Sequence, residues 1–140
     1  MKKVAILLVL GVFLAVSCEK KEPILEGFDN IIGCWTNPMY EDNAEGKSIV
    51  IYKRAKDFSP DSAGIKFLKD SSLIERKNAG WCGTPPITYD NYSGKWQLQN
   101  GGEIKIDVAY WGGMEWKIWK IIDITSSTLK IEIISWNAQY

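Results

Sequence analysis

The side chains able to do chemistry in this chain are few in kind. There are three cysteines, seven tryptophans, six tyrosines and no histidine. Without histidine, neither a Ser-His-Asp or Cys-His nucleophile nor a His-ligated zinc site can be assembled. General acid–base chemistry needs two carboxylates facing each other across a cleft. Alternation instead places Glu103, Asp107, Glu115 and Glu132 on outer faces, where charge keeps a domain soluble. The run from Tyr40 to Gly46 is acidic but lacks the alternating ligand positions of a calcium loop, and reads as a solvated hairpin. The expectation is a protein with no catalytic residue, no metal and no cofactor, not an enzyme. Aromatic side chains remain, and in such number they suit stacking on sugar rings or on flat apolar ligands.

The elements that must position these groups begin after an export segment. Met1-Lys2-Lys3 is a cationic start, and Val4 to Val16 is an uncharged apolar run too short for a comfortable bilayer span. Leu14-Ala15-Val16-Ser17-Cys18 resembles the bacterial lipoprotein box, in which the cysteine is lipidated and becomes the first residue. That resemblance implies a signal peptide over 1–17 and a lipid bilayer as partner through acylated Cys18. It places the domain in the cell envelope, on a bacterial membrane, the outer one rather than the inner, facing the periplasm or the cell surface. With more than one acyl chain at about 0.8 kcal/mol per buried methylene, attachment would be permanent. Residues 18–27 form the lipidated N-terminus and a polar tether, reaching up to ~25 Å. With Cys18 acylated, Cys34 and Cys82 are the thiols left, and two thiols in an exported protein predict one disulfide. Closing a loop of that length is worth on the order of 4 kcal/mol in the chain-entropy model.

Removing Lys2 and Lys3 from 17 basic residues leaves 15 against 17 acidic ones, a net charge near −2. Such a chain has no basic stripe for nucleic acid. About 120 mature residues make a single domain, 28–140.

Within it, period-two alternation recurs, punctuated by Gly, Asn, Pro, Asp and Ser. After a helical turn over 28–32 it predicts eight strands: Cys34–Tyr40, Ser48–Arg54, Gly64–Lys69, Ser72–Ala79, Ser93–Gln99, Glu103–Tyr110, Glu115–Ile124 and Thr128–Trp136. Ile104, Ile106, Val108 and Tyr110 share one face, buried with Ile131 and Ile133, while Glu103, Lys105 and Asp107 share the other. Short Gly- and Ser-rich links join the last four strands as an antiparallel meander. From Glu115 to Ile124, Trp116 and Ile118 take one face, but Trp119, Ile121 and Ile122 blur the pattern and predict a bulge or a strand covered on both sides.

A helical turn followed by Gly33-Cys34-Trp35 at the head of eight up-and-down strands resembles the Gly-x-Trp start of lipocalins, within the calycin group, and especially the lipocalin-like domains of bacterial lipoproteins. The resemblance implies an all-β, eight-stranded antiparallel up-and-down barrel whose Trp35 crosses the closed end. The arginine that the family lays over this tryptophan from the last strand is then missing, or replaced by a lysine such as Lys130. Counting strands odd and even puts the loops after Arg54, Ala79 and Tyr110 at the closed end, which brings Cys82 to the same end as Cys34. The loop Trp81-Cys82-Gly83-Thr84-Pro85-Pro86 then plugs that end beside Trp35 and Trp111.

An eight-stranded barrel has an interior just wide enough to be filled by side chains or to hold one small ligand. Tyr52, Phe67, Trp96, Tyr110 and Trp116 are the large residues that would fill it or line it. Two functions stay open. The first is a membrane-anchored lipocalin-like protein that binds a small apolar or amphipathic ligand in its barrel. The alternative is a glycan-binding or protein-interaction accessory lipoprotein whose barrel is solid.

Overall fold

A computed structural model of the chain describes residues 28–80, 83 and 85–139. Cys18 and Cys82 lie outside the described residues. Alternation that leaves one face wet and the other dry folds into eight antiparallel strands closed as a barrel. They are β1 (Gly33–Asp42), β2 (Ser48–Ala55), β3 (Gly64–Phe67), β4 (Ser72–Asn78), β5 (Tyr89–Leu98), β6 (Glu103–Tyr110), β7 (Gly113–Ile124) and β8 (Thr128–Gln139). A 3-10 turn, Phe28–Ile31, precedes β1. The strands alternate up and down all the way round, and the fold is compatible with a lipocalin-like barrel.

The neighbour order is β1-β2-β8-β7-β6-β5-β4-β3, returning to β1. From β3 to β8 each strand pairs with the next, but β1 sits between β2 and β3, and β8 closes on β2. Segment 56–63 therefore carries the chain from the foot of β2 across β1 to the head of β3. The amide of Asn37 donates to the Ala63 carbonyl (3.2 Å), and the Arg76 guanidinium donates to the carbonyls of Ser59 (3.1 Å) and Pro60 (2.8 Å). Gly64 ends the crossing. A Cβ there would stand 2.6 Å from the Trp35 carbonyl oxygen and 3.0 Å from the Phe58 ring.

This single step overturns the odd–even count. Because β2 and β3 both descend, the connections after Asp42, Asn78 and Tyr110 open from the upper end, while the 3-10 turn and the connections after Phe67, Leu98 and Ile124 lie at the lower end. The segment containing Cys82 leaves β4 at Asn78 and returns at Tyr89, both upper, whereas Cys34 stands near the foot of β1. The predicted Cys34–Cys82 disulfide is thereby corrected. Cys34 is a free thiol, buried on the outer side of β1, and burial pushes its pKa up. Nor does Trp111 plug the closed end, since it belongs to the upper one; Trp81 and Cys82 of the predicted plug lie outside the described residues.

The lower half is packed solid. Ile104, Ile106, Val108 and Ile131 are fully buried, as their alternation predicts, and Ile31, Trp35 and Phe67 join them. Trp96 meets Phe67 edge to face at 5.4 Å, and its indole N–H donates to the Leu68 carbonyl (3.1 Å). Phe67 and Trp96 thus pack in the closed half, away from the two cavities described below.

The closing lock is built around Trp35, whose indole N–H donates to the Ile31 carbonyl (2.7 Å). Over its ring lies the Arg54 guanidinium, 3.8 Å from the centroid, donating to the carbonyls of Ile32 (2.7 Å) and Asn30. The arginine comes from β2, where it pairs directly with Trp35 across the strands, and not from the last strand. Lys130 instead forms an ion pair with Glu41 at 2.9 Å. Gly33 is required by this lock: its φ is +127°, and a Cβ would lie 2.6 Å from Arg54 Nη1. Arg54→Ala removes a stacked cation and two charge-assisted bonds, and is expected to cost about 2–3 kcal/mol in denaturant unfolding. Arg54→Lys, which lacks the planar fork, is expected to restore less than half of that.

Candidate functional site

Three β-bulges interrupt the pairing, one in β1 and two at the β7–β8 pairing. In β1 the register slips between Thr36 and Met39, with Asn37 at φ +53°. Trp35 faces inward, so strict alternation would turn Tyr40 out; the extra residue pairs Tyr40 with inward Val50 instead. In β8 the slip leaves Ile134 unpaired, so that after Ile131 and Ile133 the next inward residue is Trp136, opposite Lys117. The third slip, at Ile122, is the irregularity that the blurred pattern of β7 predicts. Two of the three bulges thus aim an aromatic residue into the mouth.

Beneath these aromatics lies a closed ring of four charges from β4 and β7, strands that face each other across the lumen. Glu75 accepts from Lys117 (2.6 Å) through one oxygen and from Lys77 (3.0 Å) through the other. Glu115 accepts from Lys77 and Lys117 at one oxygen, and from the Trp136 indole N–H (2.9 Å) at the other. Glu75 and Glu115 are only 7% and 8% exposed, and two ammoniums meet each of these buried carboxylates. Lys77 also sits above the Tyr92 ring at 5.3 Å.

Two cavities adjoin the ring. The inner one, about 190 Å³, is lined by Tyr40, Val50, Tyr52, Trp119, Ile133 and Trp136 together with Glu75 and Lys117. The outer one, about 290 Å³, is lined by Tyr110, Trp111, Trp136 and Ala138 above Lys77, Asn78 and Glu115. Trp136 stands between them. It is 61% exposed yet tethered to Glu115.

Of the predicted lining residues, Tyr52 walls the inner cavity, where its ring lies 5.9 Å from Trp119, and Tyr110 lines the outer one. Trp116 does not belong. Lys117 and Glu115 on either side of it face the ring, so Trp116 points to the outer face, paired with Asp107 and Asn137. The same register corrects Glu115, expected outside and found in the lumen. The ring's signal in the sequence is a repeated spacing: Glu75-x-Lys77 and Glu115-x-Lys117 set alternating opposite charges on one face of each strand. Among the described residues, no group of three or more His, Cys, Asp or Glu could hold a metal ion.

Burial alone would neutralise these ions. For Lys117, burial works against the charge, but Glu75 and Glu115 outweigh it and hold its pKa above the ordinary lysine value. For Glu115, burial likewise favours the neutral acid, and Lys117, Lys77 and the Trp136 indole outweigh it to hold the pKa below the ordinary carboxylate value. Tyr52, wholly buried beside Glu75, has its pKa pushed well above the usual phenol range by desolvation and then by that carboxylate. A depressed Glu115 contributes stability that is fully present above its unfolded pKa and lost as pH falls through its folded one. A raised Lys117 contributes stability present below its unfolded pKa and lost as pH rises through its folded one. The expected profile is a plateau that falls away below about pH 4.3 and above about pH 10.4. Glu115→Gln should lower the plateau and flatten its acid side relative to wild type, as read by urea midpoints measured across pH.

The chain finds no match among protein-family models, curated proteins or solved structures, so the chemistry of this site rests on its own geometry.

Proposed function

We propose that this chain is a lipid-anchored, lipocalin-like binding protein that holds one small amphipathic ligand in the open half of its barrel. The observation that carries the reading is the pairing of aromatic walls with a charged floor at one end of an otherwise solid lumen. Tyr52 and Trp119 offer apolar faces to the ligand's body, and the Glu75–Lys117 edge of the ring offers hydrogen bonds to its polar end. A wholly apolar ligand fits this floor poorly, because covering it would strip water from polar groups at about 1–3 kcal/mol each. Binding rather than catalysis is favoured by the same ring, since a general acid or base needs a carboxyl free to exchange its proton and both carboxylates here are held by lysines. Partnership with nucleic acid is disfavoured by the near-neutral charge.

Anchoring at Cys18 fits the position of the domain's start, because Phe28–Ile31 enters at the closed lower end, which turns the mouth away from the tether. Cys18→Ser is expected to move the protein from washed membranes to the soluble fraction; a mutant that stays in the membranes would refute the anchor.

Native mass spectrometry of the purified mature domain tests the binding reading. A co-purified small mass is expected on wild type and on Trp116→Ala, whose side chain lies on the outer face, and is expected to be lost from Trp136→Ala. Trp96→Ala should lower stability without acting on the ligand directly, since it removes packing from the closed half. Equal occupancy of the Trp116 and Trp136 variants would place the ligand elsewhere.

A further inference from the structure

The ring that borders both cavities carries no net charge, and among the described residues its hydrogen-bonding capacity is not used up. Each ammonium has three donors and directs two of them at Glu75 and Glu115. Each carboxylate has about four acceptor sites, of which Glu75 fills two and Glu115 three. The floor therefore offers donors and acceptors side by side. A ligand carboxylate would meet Glu75 and Glu115, and a ligand ammonium would meet Lys77 and Lys117. A hydroxyl, donor and acceptor in one atom, suits both partners at once, and two neighbouring hydroxyls suit a Glu–Lys edge best.

Each cavity repeats this arrangement. The inner one has the Glu75–Lys117 edge beside Tyr52 and Trp119; the outer one has the Lys77–Glu115 edge beside Tyr110 and Trp111. Trp136 is the wall they share, held upright by its bond to Glu115 and exposed at the mouth. An aromatic wall opposite paired polar groups accepts a ring with one apolar C–H face and hydroxyls along its edge. We propose that the open half of the barrel is a pair of adjacent subsites for an uncharged oligosaccharide, one sugar ring on each side of Trp136, entering end-on through the mouth. The proposal rests on the reading of this half as a ligand site and names the ligand's chemical class.

The test is a glycan array of uncharged and acidic oligosaccharides probed with the purified mature domain, followed by isothermal titration with the best binder. The naphthalene-sulfonate dye ANS and octanol serve as small amphipathic probes. Uncharged glycans are expected to bind in preference to acidic ones, and the two-ring form to bind at least tenfold more tightly than the single sugar. Trp136→Ala, which removes the wall both subsites share, should weaken the two-ring ligand at least tenfold and the single sugar by a smaller factor. Trp116→Ala should bind as wild type. Lys117→Met, checked for folding by circular dichroism, should lose the single sugar as well; should it fail to fold, Tyr52→Phe and Trp111→Ala take its place as probes of the inner and outer subsite. Binding of ANS or octanol with no binding of any uncharged glycan would overturn the sugar proposal while leaving the ligand site intact. Binding of none of these would overturn both. A preference for acidic glycans, or equal affinity for one ring and two, would also overturn it.

Discussion

A lysine ammonium enters the lumen of a small barrel only where carboxylates meet it, and the pairing of Lys77 and Lys117 with Glu75 and Glu115 sets the terms for the rest of this molecule. Taking such ions out of water costs several kcal/mol apiece, so the ring must be complete or absent. It spans β4 and β7, which β5 and β6 separate within the sheet, and so crosses the interior. Away from it the side chains can pack as in any apolar core, because no charge remains to be met. Beside it the lumen is left open, and there the ring still has bonds to offer. One electrostatic arrangement thereby separates the packed part of the barrel from the open part.

The backbone is bent to the same end. Tyr40 and Trp136 face the lumen only because β1 and β8 each carry an extra residue, and each bulge forfeits ladder hydrogen bonds. Without them Tyr40 and Trp136 would turn outward with the alternation of their strands. At the lower end no such device is needed. Trp35, Arg54 and Ile31 lock together on regular pairing, and Gly33, at φ +127°, serves that lock.

All eight strands were legible in the sequence because period-two alternation is a local signal, and the inner face of β6 followed from Ile104, Ile106 and Val108 alone. The crossing of 56–63 over β1 was not legible, since nothing local distinguishes a chain that turns into its neighbour from one that steps past it. That one step misplaced the Cys82 segment, and with it the disulfide partner assigned to Cys34. The arginine over Trp35 was looked for on the last strand, whereas Arg54 on β2 takes the same position over the ring. In β7 hydrophobicity misled outright. Trp116 and Ile118 are the more apolar set, yet Glu115 and Lys117 face inward, and only their complement on β4 reveals why.

A barrel selected for stability alone would not look like this. Buried ion rings of this kind can be replaced by well-packed apolar side chains with no loss, and often with a gain of about 1–4 kcal/mol. Bulges weaken pairing, and large aromatics such as Trp136 and Trp111 left at the surface forgo burial. Each departure is individually unremarkable in a folded protein. Here they occupy the same end of one barrel and converge on the same atoms, with the Trp136 indole bonded to the Glu115 carboxylate that Lys77 and Lys117 hold. Local rules broken together around one set of atoms mark the end of the barrel that we propose as the ligand site.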